Sequence, residues 1–417
     1  MTTEPMAVDP DGAAASGWLA VHLIHQGFGD YVAGLLDGLD AVGPDRVRVA
    51  ATTITSGPAL LSDAHPSDQD HRTVAVPRYR DPRSSWRARG EVARLVERPC
   101  DVLHWQAAGN PWVDLAFLRW LERSRRAGAD RPAVVLTVHD MQAHPGDRSV
   151  LPGTFAVIRR LIRRVDRIIV HAGHIADQAV AAGAEPERVV VMPHGELGTR
   201  YLAADRLPLA PPAEPNVLFF GRAQGYKGLD LAAEVMPAVV DAVPEARLVV
   251  AGSGPSIDEV FPAGRSLPPW AELHRGLVPA EQVPELFTRA TVVILPYREA
   301  SQSGVAALAA GLGRGVVATR VPGLADIVAD GESGVLVEPG SAPALAEALI
   351  DVLRRPERAR ALAAGAHRHA TSTLSWPSIA NDLVDLYHDI VSSGSRVAGE
   401  RRRRFPGRAR PTSRRVR

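Results

Sequence analysis

Lysine is all but missing from these 417 residues: of 48 basic residues 47 are arginine, and Lys227 stands alone. Cysteine occurs once, as Cys100, so no internal disulfide can form and no Cys/His spacing spells a zinc site. No apolar run approaches the roughly 20 residues that cross a bilayer. The opening MTTEPMAVDPDGAAASG carries acids where a secretory signal has basic and then apolar residues. These absences exclude a disulfide scaffold and a helical membrane span, and the expected location is cytoplasmic. A dinucleotide fingerprint is also missing, because IHQGFGDYVAGLL holds Gly27 and Gly29 without the third glycine at the right spacing, so NAD is not expected.

What is present is a globular composition, with 46% hydrophobic and 23% charged residues. The length exceeds one hydrophobic core of usual size, so two domains are expected. The net charge of +1 hides an asymmetry: from Arg396 to Arg417 ten arginines face the single acid Glu400, a surplus of +9 that leaves the rest at −8. Broken by Pro406 and Pro411, residues 396–417 are expected to be disordered. They either keep the chain soluble or draw it to an anionic membrane, as a peripheral contact at the inner face. Nothing aromatic or groove-like accompanies them, so no nucleic acid partner is expected.

Short β-branched and apolar runs alternate with helix-length segments, the pattern of parallel sheets covered by helices on both faces. Strands are expected at WLAVHLI, RVRVAAT, DVLHW, AVVLTVH, RIIVHA and RVVVMP, then at NVLFFG, ARLVVAG, AELHRGL, TVVILP, GVVATRV and GVLVEP. Between the two sets lies the Pro-rich RLPLAPPAEP. The expectation is therefore two doubly wound α/β domains, over 17–198 and 216–375, with a linker over 199–215 and a disordered 1–16. A last helix, SWPSIANDLVDLYHDIVSS, is expected over about 376–392, with an apolar face that needs a partner. Ligands bind beyond the carboxyl ends of strands in such sheets, so two facing domains make a cleft.

The candidate chemistry lies in strand-to-helix turns. In LFFGRAQGYKGLDL, the compact ammonium of Lys227 and the bidentate fork of Arg222 sit between a buried strand and a helix start, a setting for an anion. The plain alternative is a surface turn with chance basic residues. VVAGSGP brings Gly252 and Gly254 to another turn where backbone approaches a ligand. YREASQSGVAALAAGLGRG opens a small-residue helix whose first donors belong to Ser301, Gln302, Ser303 and Gly304. Small side chains suit tight packing and the N-terminus suits an anion; both hold together. LTVHDMQAHPGD ends a strand with His139 and Asp140, followed by His144. His139 is placed to orient a hydroxyl, whereas His144 reads equally well as solvated.

With these motifs in order, TVHD, MPHG, FGRAQGYKG, AGSGP, LHRGLVPAEQVPELF and the strand–helix unit from Tyr297 to Gly315, the chain resembles the retaining glycosyltransferases of family 4. Their GT-B fold has two facing Rossmann-like domains, and the likeness runs from about Trp18 to about Ser392. It implies transfer of a sugar from a nucleotide diphosphate sugar to an acceptor hydroxyl with retention of anomeric configuration. The donor would lie on the second domain and the acceptor on the first, with the final helix crossing back to the first. Arg222 and Lys227 would bind the diphosphate, so that no metal or other cofactor is implied, and His139 would lie near the reacting sugar. Gly221, Gly252, Gly254, Leu277, Gln302, Ser303, Gly304 and Val305 would line the donor site, Leu277 at the base, while Gly27, Phe28 and Gly29 would form an acceptor loop. The chain departs from the family where two glutamates are usual: Ala300 and Leu308 stand there. Glu299, one residue off, would stand in for the first, and members with ASQSGV here form a subset. The alternative reading is a degenerate GT-B protein that binds a nucleotide sugar or a partner without turnover. An epimerase shares the fold, but no carboxylate pair for proton abstraction is evident.

Overall fold

The computed structural model describes residues 18–26, 29–55, 71–75, 84–107, 110–127, 131–145, 150–203 and 206–404. Gly27, Phe28, the segment 1–16 and residues 405–417 lie outside them. Two all-parallel sheets carry the fold. The 7-stranded sheet has the order β3-β2-β1-β4-β5-β6-β7, with β1 at Leu19–His25, β2 at Val47–Thr55, β3 at His71–Ala75, β4 at Val102–Ala107, β5 at Ala133–Val138, β6 at Arg167–Val170 and β7 at Val189–Val191. The 6-stranded sheet has the order β10-β9-β8-β11-β12-β13, with β8 at Asn216–Phe220, β9 at Arg247–Gly252, β10 at Ala271–Arg275, β11 at Val292–Leu295, β12 at Val316–Thr319 and β13 at Gly334–Val337. In both sheets the strand order reverses once, between β1 and β4 and between β8 and β11, and such switch points open a crevice at the strands' carboxyl ends.

The apolar runs are explained by burial on both faces. Along β4 and β5, Leu103, Trp105, Val134 and Leu136 join one core, while Val102 and Val135 point to the other. The second sheet alternates likewise, Leu218, Val293 and Leu295 against Val217, Phe219, Val292 and Ile294. Strand β3 was not among the sequence-expected strands. It pairs only with β2, and its His71, Arg72 and Thr73 are exposed, so it never needed the apolar run that marks a central strand.

The final helix extends over Trp376–Arg404, well past the expected end near 392 and through residues 396–404, which were expected to be disordered. Arg, Ala and Glu are good helix formers, and the run from Ser395 to Arg404 is rich in them. The helix buries Trp376, Ile379, Leu383, Val384 and Tyr387 against Val21, Leu23, Leu35 and Leu39 of the first sheet and of the helix at Gly29–Val42. Gly34 and Gly38 permit that crossing: a Cβ at Gly34 would stand 2.2 Å from Trp376 Nε1, and one at Gly38 2.6 Å from the Trp376 carbonyl. Trp376 Nε1 donates to the Glu196 carbonyl at 2.6 Å, pinning the helix to the segment that leaves the first sheet. Among the described residues no helix is long and apolar enough to cross a membrane.

Candidate active site

The turns after β8 and β9 form one interlocked unit. Gly221 N donates to Ala251 O at 2.8 Å and Ala223 N to Ser253 O at 2.7 Å. Gly252 has φ of 151°, and a Cβ there would lie 1.9 Å from the Gly221 carbonyl; at Gly254 it would lie 2.3 Å from the Ala223 carbonyl. The glycines of AGSGP are therefore needed first to let two turns touch, a constraint any bound ligand would share. The next turn, Gly225–Lys227, ends at Gly228, which caps the helix Leu229–Ala242 with φ of 70°. A Cβ on Gly228 would stand 2.0 Å from the Pro296 carbonyl, and Arg298 N donates to Tyr226 O at 2.7 Å. The loop after β11 thus clamps the turn that carries Lys227.

Lys227 is half-buried, with its ammonium 5.2 Å above the ring of buried Tyr297. Burial lowers its pKa, the neighbouring Tyr226 works the other way, and the charge of Arg222 adds to the lowering. Arg222 itself is exposed in the turn after β8. Leu277, after β10, is 87% exposed, a large apolar side chain left open where the sequence resemblance expects a base pocket.

Ser303 caps the helix Gly304–Gly311, its Oγ accepting from Ala306 N at 3.2 Å. The first N–H groups of that helix, from Gly304 and Val305, have no carbonyl a turn earlier to meet. Gln302 reaches the first sheet: its Nε2 lies 3.3 Å from His139 Nδ1, while its buried Oε1 has no partner among the described residues. Ala300 and Leu308 are 7% and 6% exposed and belong to the apolar core. The two places where carboxylates were expected are packed, not lined up on the cleft. Glu299 is bonded instead to His144, Oε1 accepting from Nδ1 at 2.8 Å.

His139, at the carboxyl end of β5, is 2% exposed and sits edge-on to Tyr31, ring centroids 5.0 Å apart, and 4.9 Å from His171. His104, His171 and His194 complete a buried group, with His104 bonded to Tyr387 Oη at 2.6 Å and to Thr137 Oγ1 at 2.8 Å. Burial, then the facing His171, His194 and His104, hold the His139 pKa well below its ordinary value. A neutral imidazole keeps one donor and one acceptor nitrogen, and here Nε2 meets Gln106 Oε1 at 3.2 Å while Nδ1 faces Gln302 Nε2. His144, by contrast, is raised, by Asp140 first and by Glu299 with it, against the cost of burial. Cys100 is partly buried and its thiol is pushed up to about 12 by burial, which leaves little thiolate at neutral pH.

Gly29 opens the first helix; Gly27 and Phe28 are outside the described residues. Sequence reasoning gave no role to Tyr226 and Tyr297 or to His171 and His194. Only the fold brings the ends of β5, β6 and β7 under the final helix, so no local spacing signalled the histidine group.

Two family models match the chain: Glycosyltransferase Family 4 over residues 26–195 and Glycosyl transferases group 1 over residues 214–355. D-inositol 3-phosphate glycosyltransferase 1 of Catenulispora acidiphila is 35% identical over 351 residues, 78% of this chain and 81% of that protein. D-inositol 3-phosphate glycosyltransferase of Geodermatophilus obscurus is 34% identical over 269 residues, 60% of this chain and 57% of its relative. Among solved structures, sucrose-phosphate synthase from Thermosynechococcus elongatus superposes with a TM-score of 0.68 at 19% identity, over 90% of this chain and 99% of that one. At such low identity the structural likeness bears on the fold.

Proposed function

Because the chain belongs to the retaining glycosyltransferases of family 4, we propose that its donor diphosphate lies between the Gly221–Gly228 turns and the start of the Gly304–Gly311 helix, facing His139 across the cleft. The chain moves a sugar from a nucleotide diphosphate sugar to an acceptor hydroxyl. In this reading Lys227 and Arg222 meet the charge that builds on the leaving diphosphate, the part a divalent ion would otherwise play. Gly304 and Val305 offer backbone N–H groups to the same anion. Neutral His139 and the unpaired Gln302 Oε1 orient sugar or acceptor hydroxyls. The observation that carries this reading is the 3.3 Å meeting of Gln302 and His139 between the two sheets, with the clamped Lys227 turn beside it.

A panel of nucleotide sugars, offered with and without EDTA, tests it. The acceptors begin with a cyclitol phosphate of the kind named for the Catenulispora relative. Release of nucleoside diphosphate that persists in EDTA is the expected result; a folded protein that releases none from any donor refutes turnover. A thermal-shift screen runs in parallel, since a nucleotide held at 100 times its Kd stabilises by about 2.7 kcal/mol. Buried Ala300 and Leu308 favour one second reading, a protein that binds a nucleotide sugar without turnover. A clear shift without product in the panel supports it.

The basic end suggests a peripheral membrane contact. Deleting residues 401–417 removes nine of the chain's arginines, and at about 1 kcal/mol per basic residue near an anionic surface the truncated protein is expected to stay in the supernatant when anionic liposomes are pelleted. Unchanged pelleting removes the tail from that role.

A further inference from the structure

Glu299 stands one residue before the place where a carboxylate was expected for the donor, and the fold puts it to another use. Its bond to His144 joins the loop after β5 of the first sheet to the loop after β11 of the second. The other ring nitrogen of His144, Nε2, faces Asp140 Oδ1 at 3.6 Å and Ser301 Oγ at 3.4 Å. The imidazole lies flat on Tyr226, centroids 4.5 Å apart and planes 20° from parallel. Tyr226 immediately precedes Lys227, and its carbonyl accepts from Arg298 N, the residue before Glu299. An imidazole between two carboxylates and over an aromatic face is arranged to be held as a cation. Asp140 on its own loop and Glu299 and Tyr226 across the cleft are the titratable groups that meet it.

We propose that His144 and Glu299 form a latch across the cleft that positions the Tyr226–Lys227 turn against the donor diphosphate. The proposal rests on the transferase reading above and adds to it a device for closing the site. A bond between the two sheets exists only when the cleft is shut, so it supplies a free-energy difference between open and shut forms. Both are positioning residues: Glu299 is taken out of the donor-binding set, and its effect passes through the stacked Tyr226. The sign of the pH dependence follows from the raised His144. The latch is whole below the ordinary histidine range and loosens as pH rises through His144's own, higher pKa.

The test is donor kinetics from pH 6 to pH 9 on the full chain, for His144→Gln, Glu299→Gln, the double variant and His144→Lys, with small-angle scattering on the same proteins. Each single glutamine variant is expected to raise donor KM about 3- to 10-fold, and the double variant no further, as coupled contacts do. Wild-type KM is expected to climb with pH, and His144→Lys, which keeps a cation through this range, to flatten that climb. A double variant whose losses simply add, or a pH profile that His144→Lys leaves unaltered, overturns the latch while leaving the transferase reading in place. A wild type inert with every donor sinks the transferase reading instead. The latch is then decided by scattering: glutamine variants at pH 6.5 must match the more open wild type of pH 9, and an envelope that never changes refutes it.

Discussion

Replacing Lys227 by alanine is expected to lower kcat by about 10²- to 10³-fold, some 2.7–4 kcal/mol of transition-state stabilisation, with a much smaller change in donor KM. The size follows from how firmly the ammonium is held. Gly228 presses the turn onto the Pro296 carbonyl, Arg298 N ties down Tyr226, and Tyr297 supports the side chain from below. A charge fixed before the reaction needs no reorganisation when negative charge develops on the leaving nucleotide. Arginine is expected to recover little: its planar fork is wider than the ammonium it replaces, and the turn has no slack to move away. Arg222, exposed on the same turn, acts through a charge more strongly screened by water, so its loss is expected to lower kcat by less than the loss of Lys227 does. Single-turnover rates decide the matter, with the melting temperature as a check on folding. A Lys227→Ala enzyme within about 3-fold of wild type, under about 0.7 kcal/mol, removes the lysine from the chemistry.

The lysine's solitude in an arginine-rich chain made it readable from sequence, and so did the two-sheet plan, because buried parallel strands leave continuous apolar runs. Other features were hidden for physical reasons. Strand β3 lies on an edge and needs little apolar surface. Glu299 and His144 are 155 positions apart, and nothing local to either announces the other. Ala300 and Leu308 were legible as missing carboxylates, but only packing reveals why the change is tolerated: both fill core space among Ala306, Ala307 and Val321. Gly311 adds to the same picture, since a Cβ there would stand 2.1 Å from Glu196 Oε2. The small-residue helix is small because the segment leaving the first sheet runs across it. The glycines of AGSGP were seen in sequence as a ligand approach, yet their first demand comes from the neighbouring turn.

The buried histidines carry the other large expectation, a steep loss of stability in mild acid. His104 and His171 have pKa values lowered to about 3 and His194 to about 4, chiefly by burial, against about 6.5 in the unfolded chain. The folded state therefore refuses protons that the unfolded state takes up. Stability is full above about pH 6.5 and falls with pH until the folded-state values near 3 to 4 are reached. At pH 5 each of the three costs about 2 kcal/mol, together about 6 kcal/mol, a large part of the 5–15 kcal/mol that usually holds a domain together. Asp114 opposes this: burial raises its pKa to about 6, and its protonation by pH 5 returns roughly 1.4 kcal/mol. The histidines win by a factor of about four. Denaturant midpoints for unfolding of the first sheet, followed by tryptophan fluorescence at pH 7.5 and pH 5.0, should differ accordingly. Trp105 and Trp376 are buried in the cores on the two faces of that sheet and report on it. Replacing His171 by asparagine, which cannot titrate, should shrink the net difference of about 4.6 kcal/mol by about two-fifths, while costing some stability at pH 7.5, where the smaller amide leaves part of the buried ring's space unfilled. Equal midpoints at the two pH values would mean that water reaches these rings, and the neutral imidazole assigned to His139 would fall with them, since the same burial sets both.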